Sequence, residues 1–526
     1  MDAATVHRRR WAILAILSLS VFLVVVDNTI VNVALPTLSR ELGATTSELQ
    51  WIVDAYSLVF AGLLLVAGSL GDRLGRKGAL QIGLVAFGLT SVFAAFADSP
   101  AQLIAARGAM GIGAALVFPA TLAILTNVFT DPGERAKAIG MWAGVSGLAV
   151  ALGPVTGGWL LQHFWWGSVF FVNLPIVIGA LVAGQLLLPT SRDPGAGRFD
   201  PLGFLLSVVA VSALVYTVIE APERGWTSTA TVAGVALAAA LITGFVAWER
   251  RRESPMLDVR VFTNPRFSAA SAAVAVAFFA LFGFIFLVTQ YFQFVRGYST
   301  LSAGVHTLPF AVAAGIASPI APRLVTRAGT SRVVAGGLLL MAAGFVVAAT
   351  TNQHSSYWLH VVPAMVLMAS GLGLTTAPST EAIMGALPRA KAGVGSAVND
   401  TTRELGGTLG VAVVGSVFAS VYGPNLADAL RGMPIPGPAL DAARESVAGA
   451  FIVADQAPAE AQPIIIDAAR DAFVDGLAFG SLAAAGAAAL GAIAVLKFLP
   501  ARAAWTATNE TQPAPEVDAE LVGAAE

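Results

Sequence analysis

The chain has 526 residues, 56% of them hydrophobic and only 12% charged, where ordinary globular chains carry roughly 25% charged residues; a soluble globular domain is excluded. The formal net charge of −2 hides an uneven distribution of sign and says little about partners, but no basic nucleic-acid face is visible, and the lack of cysteine excludes disulfides, iron–sulfur clusters and thiolate zinc sites. The Arg8 to Arg10 cluster opens an apolar run that continues to about Leu35 without a small-residue cleavage site, so it reads as a retained first span and not as a signal peptide. Crossing roughly 30 Å of hydrocarbon takes about 20 apolar residues, and about fourteen such stretches follow one another along the chain. Their approximate limits are 11–35, 49–69, 78–97, 101–127, 138–160, 167–188, 202–220, 230–248, 268–290, 303–321, 332–350, 357–378, 392–421 and 472–499. No strand alternation accompanies them, and a helix satisfies its own backbone in lipid, so the fold class is all-α and polytopic.

Placing both termini in the cytoplasm assigns most of the 30 Lys and Arg to the inner side, from Arg8–Arg10 through Arg73/Arg76/Lys77 and Arg250–Arg252 to Lys497/Arg502. The protein is thereby expected in the inner (cytoplasmic) membrane. The loop GSLGDRLGRKG from Gly68 is weakly echoed by ASPIAPRLVTRAG from Ala317, pairing Arg73-Leu74 with Arg323-Leu324. Two repeated halves account for that spacing; convergent basic loops are the alternative. The resulting division is a six-helix bundle over 1–200, two extra helices and a linker over 201–265, and a second bundle over 266–500 with an outer loop at about 422–471. An acidic, disordered cytoplasmic tail is expected over 501–526.

A charge near the bilayer centre costs on the order of 3 kcal/mol, so ionisable residues inside spans face a bundle interior or a wet cavity. Six stand out: Asp27, Asp54, Arg107, Asp400, Arg403 and Glu404. The first three fall in the outer half of the first bundle and can share one cavity. Asp400 and Glu404 lie one turn apart on a helix face, where two carboxylates repel unless a cation intervenes, which suits a proton or cation site. Local pairing with Arg403 is the plainer account of the same residues, and an exposed helix-start acid is the plainer account of Asp54. A desolvated carboxylate titrates nearer neutrality than a free one, as reversible protonation requires. Asp27 and Asp400 are accordingly candidate proton sites, while Asp54, beside Trp51 and Tyr56, and Glu404 are candidates for holding a substrate cation. Replacing Asp27 by Asn is expected to leave insertion intact, since it removes a buried charge.

Phe278, Phe282 and Phe286 form a stripe at helical spacing that either lines a cavity for aromatic cations or packs against lipid and neighbouring helices. Gly147, Gly153, Gly157 and Gly158 surround Pro154 at small-residue spacing, so this helix packs closely and bends. Neither GxGxxG nor a Walker A sequence occurs, and the five histidines show no metal-ligand or Ser-His-Asp arrangement. No enzyme, ATP-driven mechanism or cofactor is indicated.

DNTIVNVALP from Asp27, LQWIVDAYSL from Leu49, GSLGDRLGRKG from Gly68, LIAARGAMGIGAA from Leu103, the Gly147–Gly158 stretch, FFVNLPI from Phe170 and SAVNDTTRELGG from Ser396 span nearly the whole chain. Together they resemble the fourteen-span drug/proton antiporters of the major facilitator superfamily, in the branch of quaternary-ammonium and dye exporters. Met110 stands where that family usually has Gln. The resemblance implies that Gly68, Gly71, Asp72, Arg73, Gly75 and Arg76 form a cytoplasmic loop motif in which Asp72 and Arg76 latch the halves. It also implies a proton-relay role for Arg107, and a motif at Gly147, Gly153, Pro154, Gly157 and Gly158 that separates exporters from uptake proteins.

The expected function is proton-gradient-driven efflux of hydrophobic, often cationic, small molecules, with protons and membrane lipids as the other partners and no obligate protein partner. Export of an amphipathic lipid or an endogenous secondary metabolite is the alternative on the same fold. A receptor or scaffold that moves nothing is the reading from another class, and it predicts no substrate-driven proton release.

Overall fold

The computed structural model describes residues 3–190, 200–252, 255, 259–386 and 392–500. The tail 501–526 lies outside the described residues, as do the side chains of Asp72 and Arg73; Gly68 and Gly147 are placed only as positions within helices. Among the described residues there is no strand. The long helices are α1 (Ala3–Leu42), α2 (Thr46–Leu74), α3 (Arg76–Ala95), α4 (Pro100–Val128), α5 (Pro132–His163), α6 (Asn173–Leu187) and α7 (Pro201–Arg224). They continue as α8 (Thr229–Arg251), α9 (Pro265–Gln290), α10 (Leu308–Ala328), α11 (Thr330–Ala349), α12 (Val362–Gly385), α13 (Ala392–Ala429) and α14 (Gln462–Phe498). Twelve helices among the described residues are long and apolar enough to cross a membrane. The helices α2 and α5, with 29 and 32 residues, are outside that dozen but pack among them.

Local chemistry starts these helices where the apolar runs begin. Ser99-Pro100, Asp131-Pro132, Asp200-Pro201 and Asn264-Pro265 each put a capping side chain before a proline in the first turn, where the missing N–H is not needed. Thr45 and Glu48 form a reciprocal capping box on α2. Gly75 joins α2 directly to α3 at φ +113°, and Gly329 joins α10 to α11 at φ +85°, a backbone region that side chains disfavour. Each cap glycine donates its N–H one turn back, to Gly71 O and to Val325 O. Gly83 and Gly337, both eight residues past those caps, are the points where α3 meets α4 and α11 meets α12: an added Cβ would lie 2.8 Å from Gly113 O and from Gly371 O. This register pairs Arg73 with Arg327, one turn beyond the Arg323 that sequence matching selects, because the second loop has lost its charged motif while its cap and crossing have not.

Helices α1 to α6 pack with one another, as do α9 to α14, and the α7–α8 hairpin lies against α2 and α13. The end carrying the N-terminus and the end of α14 is called proximal here, and the opposite end distal. Between α13 and α14 the distal segment 430–461 holds two short helices, Gly437–Glu445 and Val447–Gln456. That connection is shorter than apolar runs suggest, since the first turns of α14 bear Asp467, Arg470, Asp471 and Asp475 and are helical without being apolar.

At the proximal end Asp200 caps α7 by accepting from the Gly203 amide at 3.1 Å, and also takes the Trp248 indole N–H at 2.8 Å and Arg252 Nε at 3.4 Å. Burial works against its ionisation, yet the Gly203 amide, Trp248 and Arg252 hold it below the usual carboxylate range. A depressed carboxyl contributes stability above its unfolded pKa and loses it as pH falls through the folded one. Asp200→Asn keeps a capping oxygen but loses the charge that strengthens these hydrogen bonds, and is therefore expected to cost about 1 kcal/mol at neutral pH. Thermal melts of the two proteins in detergent, converging as the medium is acidified, check it.

Candidate functional site: buried charges between two helix groups

Asp27 on α1 and Arg107 on α4 meet as a fully buried ion pair, Arg107 Nη1 donating to Asp27 Oδ2 at 2.5 Å. The approach of α4 to α2 depends on Gly111, where a Cβ would meet Tyr56 O at 2.6 Å. With that closeness Arg107 Nε reaches Ile52 O at 3.0 Å, and the guanidinium lies 4.3 Å from the Tyr56 ring centroid. The Tyr56 hydroxyl donates to Val24 O at 3.3 Å. On the other oxygen, Asp27 Oδ1 accepts from Asn173 Nδ2 at 2.7 Å, and the same amide nitrogen reaches Ser91 Oγ at 3.2 Å. Two opposite charges removed from water persist only when paired and hydrogen-bonded in this way.

Asp54 is also fully buried, but neither of its carboxylate oxygens has a hydrogen-bond partner among the described residues. It lies one turn along α2 from Gln50, whose amide donates to Val411 O at 3.1 Å and Ala412 O at 3.0 Å on α13. Trp51, on the same side, packs against Tyr216 of α7. Asp54 thus faces the seam of α2, α7 and α13, whereas Tyr56 turns to Arg107, so the two are not neighbours in one pocket.

On α13, Asp400 and Arg403 stand 4.0 Å apart and half-buried. Arg403 Nη2 donates to Thr380 Oγ1 at 3.1 Å, and its guanidinium lies 5.4 Å from the Phe278 ring. Glu404 is half-buried, within electrostatic range of Asp400 and Arg403 and, across the two groups, of the Tyr56 hydroxyl. Phe282 stacks with Phe278 at 6.3 Å and lies against Gly407, while Phe286 is wholly inside the core. The aromatic stripe therefore divides between a half-buried pair and a packing residue.

Among the described residues, the hydrogen bonds that join the two groups lie in the distal half. Thr289 Oγ1 donates to Asn32 O at 2.8 Å, Gln293 Nε2 to Val33 O at 3.0 Å, and Thr300 Oγ1 to Gly158 O at 3.0 Å. In α5 the small residues are the contact surface: an added Cβ on Gly157 would lie 2.7 Å from Ile30 Cγ1, on Gly153 it would run into the Thr29 side chain, and on Gly158 into the Thr300 carbonyl. Gly304 abuts the Pro154 carbonyl in return. At the proximal end Arg76 Nη1 donates to Ala123 O at 3.3 Å, within the first group. A separate apolar groove of about 760 Å³ along α10 and α12, with Val312, Ile316 and Trp358 in its walls, contains none of these acids.

Sequence reasoning missed Asn173, Ser91 and Gln50. A search for charges inside spans passes over neutral amides and hydroxyls, although an Asn opening an Asn-x-Pro element at a span start is itself a polar signal.

The family model of the Major Facilitator Superfamily matches residues 17–411. The chain is 38% identical over 472 residues, 89% of its length and 92% of the relative's, to the multidrug efflux pump LfrA of Mycolicibacterium smegmatis. It is 38% identical, over 89% of its length and 93% of the relative's, to the methyl viologen resistance protein SmvA of Salmonella typhimurium. The tetracenomycin C resistance and export protein of Streptomyces glaucescens shares 33% identity over 94% and 93% of the two chains. In fold it is similar, with a TM-score of 0.65 at 19% identity over 94% of this chain and 98% of the other, to a bacterial homologue of the human lysosomal transporter Spinster in an inward-facing, unoccupied conformation.

Proposed function

We propose that this chain, which belongs to the Major Facilitator Superfamily, exports hydrophobic and often cationic drugs across the inner membrane in exchange for protons. It is a multi-pass membrane protein of a transporter family, and its relatives are named for drug efflux and resistance. The observation that carries the reading is the fully buried Asp27–Arg107 pair beside a seam between the two helix groups that hydrogen bonds close at the distal end. We read α2 and α5 as spans too, giving fourteen, with both termini cytoplasmic, so the closed distal seam is the external gate. On this reading one half comprises 1–200 and the other 266–500, and the hairpin with its linker, 201–265, covers the α2–α13 seam.

In this cycle Asp27 and Asp400 take up and release the proton, and Arg107 responds to the charge of Asp27. Asp54 and Glu404, with Tyr56, Phe282 and Phe286 behind the cavity wall, shape the site for the drug. The halves rock about the α5 contact, and the segment from Gly68 to Arg76, the end of α2 and the start of α3, latches the proximal end in the opposite state. Proton entry is favoured by the membrane potential, worth about 2.3 kcal/mol per charge per 100 mV. Inverted vesicles with a pH-sensitive dye test the reading: lipophilic cations are expected to release protons, and silence across a broad drug panel rejects it.

Charge selectivity gives a second measurement. Glu404→Gln and Asp54→Asn are expected to weaken transport of a quaternary ammonium dye more than that of a neutral drug of similar size. At an effective dielectric near 20 an ion pair at about 4 Å gives roughly 4 kcal/mol before desolvation. A net tenfold to hundredfold loss, about 1.4 to 3 kcal/mol, follows for the cation alone. Equal losses for both compounds would assign these acids to coupling or structure.

A further inference from the structure

Resting on the reading of Asp27 as a proton site, we propose that Asn173 is its switchable partner, an amide that rotates to serve both protonation states. Among the described residues, two side chains hydrogen-bond the Asp27 carboxylate. Arg107 holds Oδ2, and a guanidinium has donors only, so it cannot receive a proton-bearing oxygen. Asn173 holds Oδ1 through its nitrogen, and its own carbonyl oxygen is fully buried with no hydrogen-bond partner among the described residues. An acceptor left idle next to a group that must acquire a hydrogen is an expense of about 1–3 kcal/mol in a purely structural contact.

Protonation of Asp27 Oδ1 turns that oxygen from acceptor into donor, facing the N–H of Asn173. A half-turn of the amide exchanges its two ends, so that Asn173 Oδ1 accepts from the acid while its nitrogen takes the unpartnered position. Ser91 supports either state, because a hydroxyl accepts from the amide nitrogen at 3.2 Å now and can donate to the amide oxygen afterwards. Each orientation leaves one amide group unpaired, so neither is locked. The charged and titratable groups around Asp27 are Arg107 from α4 and Tyr56 from α2, with Glu404 of α13 beyond Tyr56. The α3 and α6 neighbours are the neutral Ser91 and Asn173, α5 approaches α1 through Gly153 and Gly157, and α9 presents the neutral Thr289 and Gln293. Asn173 is thus a positioning residue that acts through Asp27.

Asn173→Leu keeps the shape and removes both donor and acceptor. Because a hydrogen bond to the ionised form is worth more than one to the acid, its loss is expected to move the pH midpoint of drug-driven proton release by up to about one unit toward alkaline. Asn173→Thr, which keeps a group that both donates and accepts, should restore most of the profile. A Leu profile that superimposes on wild type, or that is lowered equally at every pH, overturns the inference. Infrared difference spectra of the purified protein supply a readout independent of transport and of the Leu variant's insertion. The side-chain amide carbonyl band assigned to Asn173 by its loss in Asn173→Thr should shift with the same midpoint as the Asp27 acid band, and stop shifting in Asp27→Asn. A band indifferent to pH while the acid band titrates overturns the proposal even if proton release is normal. Absence of both the acid band and proton release in wild type instead refutes Asp27 as the proton site.

Discussion

Asp27→Asn is expected to abolish drug-driven proton release and, at the same time, to destabilise the protein by about 3–5 kcal/mol, because it leaves the Arg107 guanidinium buried without its counter-ion. The first effect follows from chemistry, since an amide has no proton to exchange at cellular pH. The second qualifies the expectation drawn from sequence, in which removing a buried charge leaves folding and insertion intact. Arg107 is fully enclosed, with Nη2 already lacking a partner, so the carboxylate is its main compensation. The two effects separate in the double variant Asp27→Asn/Arg107→Met, which removes both charges: its melting temperature in detergent should recover much of the loss while proton release stays absent. If the double variant is no more stable than the single one, the pair is not what stabilises Arg107. If Asp27→Asn releases protons at wild-type rates at matched membrane content, the proton does not pass through Asp27.

The reason the sequence overlooked that cost lies in what a linear reading can see. Apolar length marks spans one at a time, and the prolines and capping residues at Ser99, Asp131, Asp200 and Asn264 mark where helices begin, so helical class and order were legible. Charges inside spans are equally visible, and Asp27 and Arg107 were picked out. Partnership across 80 residues is not, because it depends on how α1, α2 and α4 come together, with Gly111 letting α4 approach the Tyr56 backbone of α2 so that Arg107 lies inside the group where Asp27 meets it. The same limit assigned Tyr56 to Asp54 by sequence proximity, although residues two apart on a helix point to different sides. Asn173 and Ser91 were missed because they are neutral, and they matter only once Asp27 is known to lie between them. The repeat suggested by Arg73-Leu74 and Arg323-Leu324 takes its register in the structure from glycines the sequence reading did not use, since Gly75/Gly83 and Gly329/Gly337 occupy matching cap and crossing positions.

Gly158→Leu is expected to reduce transport by about fivefold or more by wedging open the distal seam. In this conformation a Cβ at 158 lies 2.7 Å from Leu301 Cα and runs into the Thr300 carbonyl. Both are backbone atoms, so no rotamer change relieves the overlap; the helices must part. Overpacking of this kind costs roughly 1–3 kcal/mol, enough to shift a two-state equilibrium between about fivefold and more than a hundredfold away from the closed seam. The Thr300 hydroxyl bond to Gly158 O is lost with it. Gly153→Leu should act in the same direction at the α1 contact, because an added Cβ runs into the Thr29 side chain and lies 2.9 Å from Thr29 Cβ and 3.3 Å from Ile30 N, neither of which a Thr29 rotamer change moves. Gly144→Leu is the control on the same helix, since nothing lies within 4 Å of its added Cβ. Distances between spin labels at the distal end of α5 and at the start of the Thr300–Val305 helix should lengthen in Gly158→Leu and stay unchanged in Gly144→Leu. Drug binding at equilibrium should fall less than turnover does, because the substitution biases the conformational step and leaves the acids of the cleft in place. Unchanged distances together with wild-type exchange would mean that the close glycine contact is packing without a part in the cycle.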